Sequence, residues 1–428
     1  MSVPVTQPPS PPEEGEPTTL AGRFALYQRA GGVITPLLTA LLAFAVGALV
    51  IAFTQGSATD PNWTAAAKTF RAILDGTGLP WLVHWFVDVR SIGATHDIYP
   101  TEADAVAIAA INLQQTLILT STLILTGLAV AFAFRCGLFN IGGQGQYFVG
   151  IIIAIAVGTH FAGMPRGIHV PLALLCAALA GAVWAGIAGI MRATVGAHEV
   201  ITTIMLNWIA YWVGSYLFSL GGPLQSDTQE SVPISNDIVD SAKLHVFWGG
   251  VQGLHIGFFI AIAALVAFWA ILNRTTLGYE VRAVGFNPEA ARYGGINVAR
   301  NYFLAMAISG TFAGLAGAID VLGWQYRYGQ IDIQQSDIGF VGIAVALLGR
   351  NTALGIFFSA LLFGGLLTGT STRNLDPTVF DPELAGNLTL LIQGLVVLFV
   401  AADLLIISVW RARKKIPLPR RKPKAVGA

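Results

Sequence analysis

Charge is what this chain has least of. Asp, Glu, Lys and Arg make up 11% of its 428 residues, against about 25% in a typical soluble protein. Net charge is +1, so no bulk field draws in a nucleic acid, and none is expected as a partner. Cysteine is almost missing. Cys136 and Cys176 are the two thiols, too few for a disulfide framework or a structural zinc site. Lysine is scarce as well, and none of the six follows a glycine. A phosphate-binding Gly-Lys-Ser/Thr loop is therefore excluded. "IGGQG" at 141–145 has a phosphate-loop look, but no third glycine completes the dinucleotide pattern, because Phe148 stands there. "HEVIT" from His198 lacks the second histidine of a zinc-protease helix, and no Gly-x-Ser-x-Gly elbow occurs. No covalent catalysis, metal or bound cofactor is expected in this chain.

What is present is hydrocarbon. The chain is 54% hydrophobic, with mean hydropathy +0.67. A membrane-crossing helix needs about 20 apolar residues. Ten stretches qualify, near 33–54, 116–134, 147–161, 170–190, 201–220, 256–272, 302–321, 339–348, 354–367 and 388–410. The expected fold is all-α, a polytopic membrane protein of about ten helices. The third, eighth and ninth stretches are short, which points to broken helices near a transport site.

Residues 1–20 are rich in proline and acid, without the basic start of a secretory signal, and read as a disordered tail. The membrane-spanning body would span 21–410. Residues 411–428 form a basic tail, within which "RARKKIPLPRRKPK" carries eight basic residues. That tail, together with Arg274, Arg282, Arg292 and Arg300 in the loop 273–301, puts both termini in the cytoplasm by the positive-inside rule. Stretches 55–105 and 221–255 then lie outside. The first of these, with Trp63, Trp81, Trp85 and Phe86, reads as interfacial helices.

Two segments carry functional information. "GLFNIGGQGQYFVG" at 137–150 places Asn140, Gln144 and Gln146 among glycines between two oily runs. Three readings fit it: a plain turn, inter-helix glue, or the lining of a water-filled cavity. "GFNPEAARYGGI" at 285–296 reads as a short capped helix. Asn287 caps it, Pro288 opens it, and Glu289 suits the positive end of its dipole. Ala290, Ala291, Arg292 and Tyr293 continue it, and Gly294 with Gly295 stops it.

"GLAVAFAFRCGLFNIGGQGQ", "AHEVITTIMLNWIAYW" and "LGYEVRAVGFNPEAARYGGINV", in this order, resemble the permease subunits of bacterial ABC importers. The similarity is to the branched-chain amino acid and simple-sugar permease superfamily, on its nucleoside and sugar side, across roughly residues 117–407. The resemblance implies that Asn287–Gly294 form a coupling helix docked on a separate ATPase, which would bind the ATP and Mg. It also implies a second permease subunit, identical or homologous, and an extracytoplasmic substrate-binding protein. The location implied is the lipid bilayer of a bacterial cell membrane. It favours cavity lining or glue over a turn for 137–150. One departure stands out: the family's usual glutamate is here Gln144, so an essential charge at that place is not expected.

Polar residues at membrane depth are candidates for the path of a nucleoside or sugar. They are Asn140, Gln144, Gln146, Asn207, Trp208, Trp324, Asp337 and Gln393. Helix glue for Asn207 and an interfacial belt for Trp324 are alternatives. A self-sufficient secondary transporter or channel is the rival reading. It would need a titratable group within the bundle, and the centres of the spans offer almost none. "GLAVAFAFR" at 127–135 and "GIAVALLGR" at 342–350 share five of nine positions, a hint of an internal repeat.

Overall fold

The computed structural model describes residues 40–56, 60–92, 101–161, 163–250, 253–371 and scattered residues from 387 to 398. The N-terminal tail, Gln393, most of the last span and the basic C-terminal tail lie outside the described residues. Helix α1 is Ala40–Thr54. It is followed by α2 (Trp63–Gly76), a 3-10 turn (Leu79–Val83) and α3 (Val89–Ile92). Then come α4 (Glu102–Arg135), α5 (Gly143–His160), α6 (Arg166–Val195) and α7 (Glu199–Leu217). A small antiparallel hairpin, β1 (Val246–Trp248) and β2 (Leu254–His255), precedes α8 (Gly257–Arg274). After it run α9 (Thr276–Phe286), α10 (Pro288–Tyr293) and α11 (Val298–Asp320). A π-helical turn (Val321–Gln325), α12 (Gln330–Gln335), α13 (Ile338–Leu348) and α14 (Ala353–Gly369) complete the described chain. This is the all-α membrane architecture that the hydropathy pattern implies.

Helix α4 is the axis. It is apolar on every side, so it has no face to give to solvent, and it is packed by α8, α11, α13 and α14. Its hydroxyls cost little in that setting because they fold back on their own helix. Thr120 Oγ1 donates to the Thr116 carbonyl at 2.6 Å and Ser121 Oγ to Leu117 at 2.8 Å. The helix begins at Glu102, well before the expected 116. Thr101 caps it by accepting from the Asp104 N–H, and Asn112, Gln114 and Thr116 are buried rather than wet. Hydropathy alone missed this polar helical extension because its side chains bond to protein: Asn112 Nδ2 donates to the Asp75 carbonyl at 3.5 Å, and Thr116 Oγ1 to the Thr77 carbonyl at 2.8 Å.

Helices α6 and α11 form the closest pair. Ala177, Gly181, Ala185 and Gly189 recur every fourth residue on α6, and Gly310 and Gly314 do so on α11. A methyl group at Gly310 would meet the Gly181 carbonyl, and one at Gly314 would meet that of Ala177. Small residues let the backbones touch, which is the source of van der Waals energy between helices in lipid. Gly150 of α5 presses on Gly314 in the same way, so three helices meet at glycine.

The two related nonapeptides lie side by side. Gly127 of α4 faces Val345 of α13, and Gly342 faces Thr126. Both segments end at one level, where the Arg135 guanidinium donates to the Asn351 carbonyl at 2.6 and 3.1 Å. The expected eighth span is real but short. It is α13, preceded by α12 and a break at Ser336–Asp337.

Candidate functional site: two helix breaks and an exposed capped helix

Two discontinuities face each other inside the bundle. The first runs from Cys136 to Gly142, between α4 and α5. Gly137 adopts φ +76° and packs within 3.3 Å (measured from an added Cβ) of Gly285 on α9. From there the chain turns back into the bundle. Asn140 Nδ2 donates to Ser309 Oγ at 2.7 Å, and Ser309 Oγ donates to the Ala129 carbonyl at 2.5 Å. Ala129 is six residues up α4 from Arg135, a rise of about 9 Å. Irregular backbone therefore sits deep among the helices, buried in protein as lipid requires.

The amides of this segment are fully occupied. Asn140 and Gln146 pair reciprocally, Nδ2 to Oε1 at 2.9 Å and Nε2 to Oδ1 at 3.0 Å. Asn140 Oδ1 also accepts from the Gly142 N–H at 2.9 Å. Asn207 of α7 accepts from the Gly145 N–H at 2.8 Å and donates to the Ile141 carbonyl at 2.9 Å. These bonds supply the start of α5 with the partners that an uncapped helix lacks.

Gln144 bridges to the second discontinuity. Its Nε2 donates to the Ser336 carbonyl at 2.5 Å, and its Oε1 accepts from the Gly339 N–H at 2.6 Å. A carboxylate could do only the second. The amide is thus suited to clasp both sides of the α12–α13 break, and its neutrality is a structural property of this chain.

The centres of the spans hold almost no titratable group, but Asp320 stands at the end of one. It ends α11 at 2% exposure. It accepts hydrogen bonds from the Tyr147 hydroxyl and Trp324 Nε1, and from Thr122 Oγ1 and Gln325 Nε2 at 3.4 Å each. The π-helical turn brings Trp324 back over its own helix end to make this contact. One acid at the end of the apolar run "AGLAGAID" was the available signal. Trp324, half-buried, thus directs its Nε1 at a buried acid. Trp208 instead projects outward from α7, half exposed, and Asp337 is exposed ahead of α13 without a capping bond from its side chain.

At the other end of the molecule, the Asn-Pro-Glu segment is a helix. Asn287 Oδ1 accepts from the Glu289 and Ala290 N–H groups at 3.0 and 3.1 Å. Pro288 occupies the first turn, Arg292 lies 3.7 Å from Glu289, and Gly294 caps the end. Gly295, at φ +84°, turns the chain toward α11. Ala291 is buried and anchors α10, whereas Tyr293 is 94% and Phe286 92% exposed. Two large rings, one at the end of α9 and one at the end of α10, thus stand exposed on either side of the Asn287 cap, a surface suited to being covered.

Residues 112–401 match the family of the branched-chain amino acid transport system, permease component. The chain belongs to this family. It is 42% identical to the guanosine ABC transporter permease protein of Bacillus subtilis over 300 residues, 68% of this chain and 81% of that one. It is 36% identical to the nucleoside ABC transporter permease protein of Lactococcus lactis over 311 residues, 70% and 81% of the two chains. A glucose ABC transporter permease protein of Haloferax volcanii is 36% identical over 298 residues, 68% and 76%. The chain is thus a permease subunit of an ABC importer, and both breaks and α10 lie within the matched region.

Proposed function

We propose that this permease carries a nucleoside across a bacterial cell membrane, paired with a second permease subunit that is identical or homologous. A separate ATPase, which holds the ATP and Mg, docks on Asn287–Gly294. A substrate-binding protein delivers the solute at the opposite face. Two relatives named for guanosine and nucleoside transport favour that substrate class, and the glucose permease makes simple sugars the second.

The observation that carries the mechanism is the physical continuity from α10 to the two breaks. Helix α10 hangs from α9. Gly285 near the end of α9 abuts the Arg135 carbonyl, and Gly137 abuts Gly285. Three residues on from Gly137 is Asn140 and the amide knot. When ATP draws the ATPases together, α10 moves, α9 follows, and the displacement enters the bundle at Gly137. The amide-tied starts of α5 and α13 and the middle of α7 shift as a unit, exposing the path to one side and then the other. Asn140, Gln144, Gln146 and Asn207 frame this path. Trp208, Trp324, Asp337 and Gln393 are its proposed contacts with the second subunit or the solute.

A specific observation bears on the rival reading: an ion-coupled transporter would use Asp320. Its four protein donors account for it as a structural acceptor, and the ABC reading stands first. Reconstituted vesicles test it. Exchanging the charges at Glu289 and Arg292 should uncouple ATP hydrolysis from nucleoside uptake. Unchanged coupling, or uptake by this chain with no ATPase present, overturns it.

A further inference from the structure

A cavity of about 170 Å³ lies at the end of the bundle that carries α10, between Arg135 of α4, the end of α8, Arg282 of α9 and the turn joining α13 to α14. Phe268, Trp269 and Leu272 make its walls apolar. Two guanidiniums line it and no carboxylate does. The charge acting on Arg135 is that of Arg282, a repulsion.

Both forks are held in place. Arg135 Nε and Nη2 donate to the Asn351 carbonyl. Arg282 Nη1 donates to the Leu272 carbonyl at 2.5 Å and to Asn273 Oδ1 at 3.2 Å. Nη1 of Arg135, and Nε and Nη2 of Arg282, have no acceptor among the described residues. Like charges held around one space, with spare donors and greasy walls, lower their energy by taking in an anion with several acceptor oxygens. This end of the bundle is the cytoplasmic one by its arginine content. There, anionic headgroups supply such oxygens at the level of the helix ends.

We propose that this cavity binds the phosphate of an anionic phospholipid from the inner leaflet. The bound headgroup pins α9 to the end of α4 and to the α13–α14 turn. Because α9 carries α10, lipid composition then sets how firmly the proposed lever is held. The inference does not depend on which solute is carried.

The full chain, purified in an uncharged detergent, is titrated with phosphatidylglycerol, phosphatidylcholine or inorganic phosphate, and its thermal midpoint is followed. Phosphatidylglycerol should raise the midpoint saturably and phosphatidylcholine should not. Arg282→Gln should weaken half-saturation by about tenfold, and Arg300→Gln, at an exposed site away from the cavity, should leave it unchanged. If Arg282→Gln does not fold, Arg282→Lys, which keeps the charge without the fork, should show a smaller weakening. Inorganic phosphate acting as strongly as the lipid, with the same dependence on Arg282, would support the anion site and make free phosphate its source. Equal shifts with the two lipids, or a phosphatidylglycerol effect untouched by both Arg282 variants, overturns the proposal.

Discussion

At the scale of single residues, Gln144 shows why an amide and an acid of the same shape are not equivalent. One side chain donates to the Ser336 carbonyl and accepts from the Gly339 N–H. In Gln144→Glu the ionised side chain would face a carbonyl oxygen with no proton to offer. Leaving a buried polar group unsatisfied costs about 1–3 kcal/mol. The variant should therefore have a lower thermal midpoint than the wild type at pH 8. The deficit should shrink at low pH, where a protonated acid can donate again. A deficit independent of pH would show that the Ser336 bond is dispensable. The amides around Gln144 bond across to α7, α11 and the α12–α13 break.

At the scale of elements, the α5–α6–α11 contact depends on absent side chains. Gly314→Val would drive a branched side chain into the Ala177 carbonyl and Gly181 Cα. Overpacking of this kind costs about 1–3 kcal/mol, sometimes more. We expect loss of the monodisperse peak when the detergent-extracted variant is chromatographed. Gly167→Ala, where nothing lies within 4 Å, should behave as wild type. An intact Gly314→Val peak would mean that α6 and α11 separate without penalty. The π-helical turn is the corresponding element on the opposite side. It spends regular hydrogen bonding to place Trp324 on Asp320, and the His255 ring packs against Gly323 within it.

At the scale of the whole molecule, His255 links that packing to pH. It lies in the β-hairpin, outside the spans, and is fully buried. Its Nδ1 accepts from the Gly257 N–H at 3.2 Å, and burial pushes its pKa down to about 4. The ordinary value is about 6.5, so the unfolded chain takes up a proton between these limits that the folded chain refuses. Stability is therefore complete above about pH 6.5 and is lost as pH falls toward 4, by up to roughly 3 kcal/mol. The thermal midpoint of the wild type should fall from pH 7 to pH 5, and His255→Leu should flatten that slope. An identical slope in both proteins would assign the acid sensitivity to other groups. The large apolar side chains displayed by α6 and α7, among them Leu179, Val183, Trp208 and Trp212, form a surface that suits lipid or the second subunit proposed above.

Hydropathy, scarcity of charge and three motifs determined the membrane class, most of the spans and the transport family. They do so because the cost of polar groups in lipid leaves its mark on composition, and because capping rules act within a few residues. The Asn287 cap and the end of α10 were legible for that reason. The tertiary structure alone decided what the polar residues inside the spans do. The bond of Thr116 to the Thr77 carbonyl, that of Asn140 to Ser309, the clasp of Gln144 on a break 195 residues away and the meeting of Tyr147 with Asp320 all depend on partners distant in sequence. A buried amide is affordable only when its partner is in place, and no local pattern names that partner.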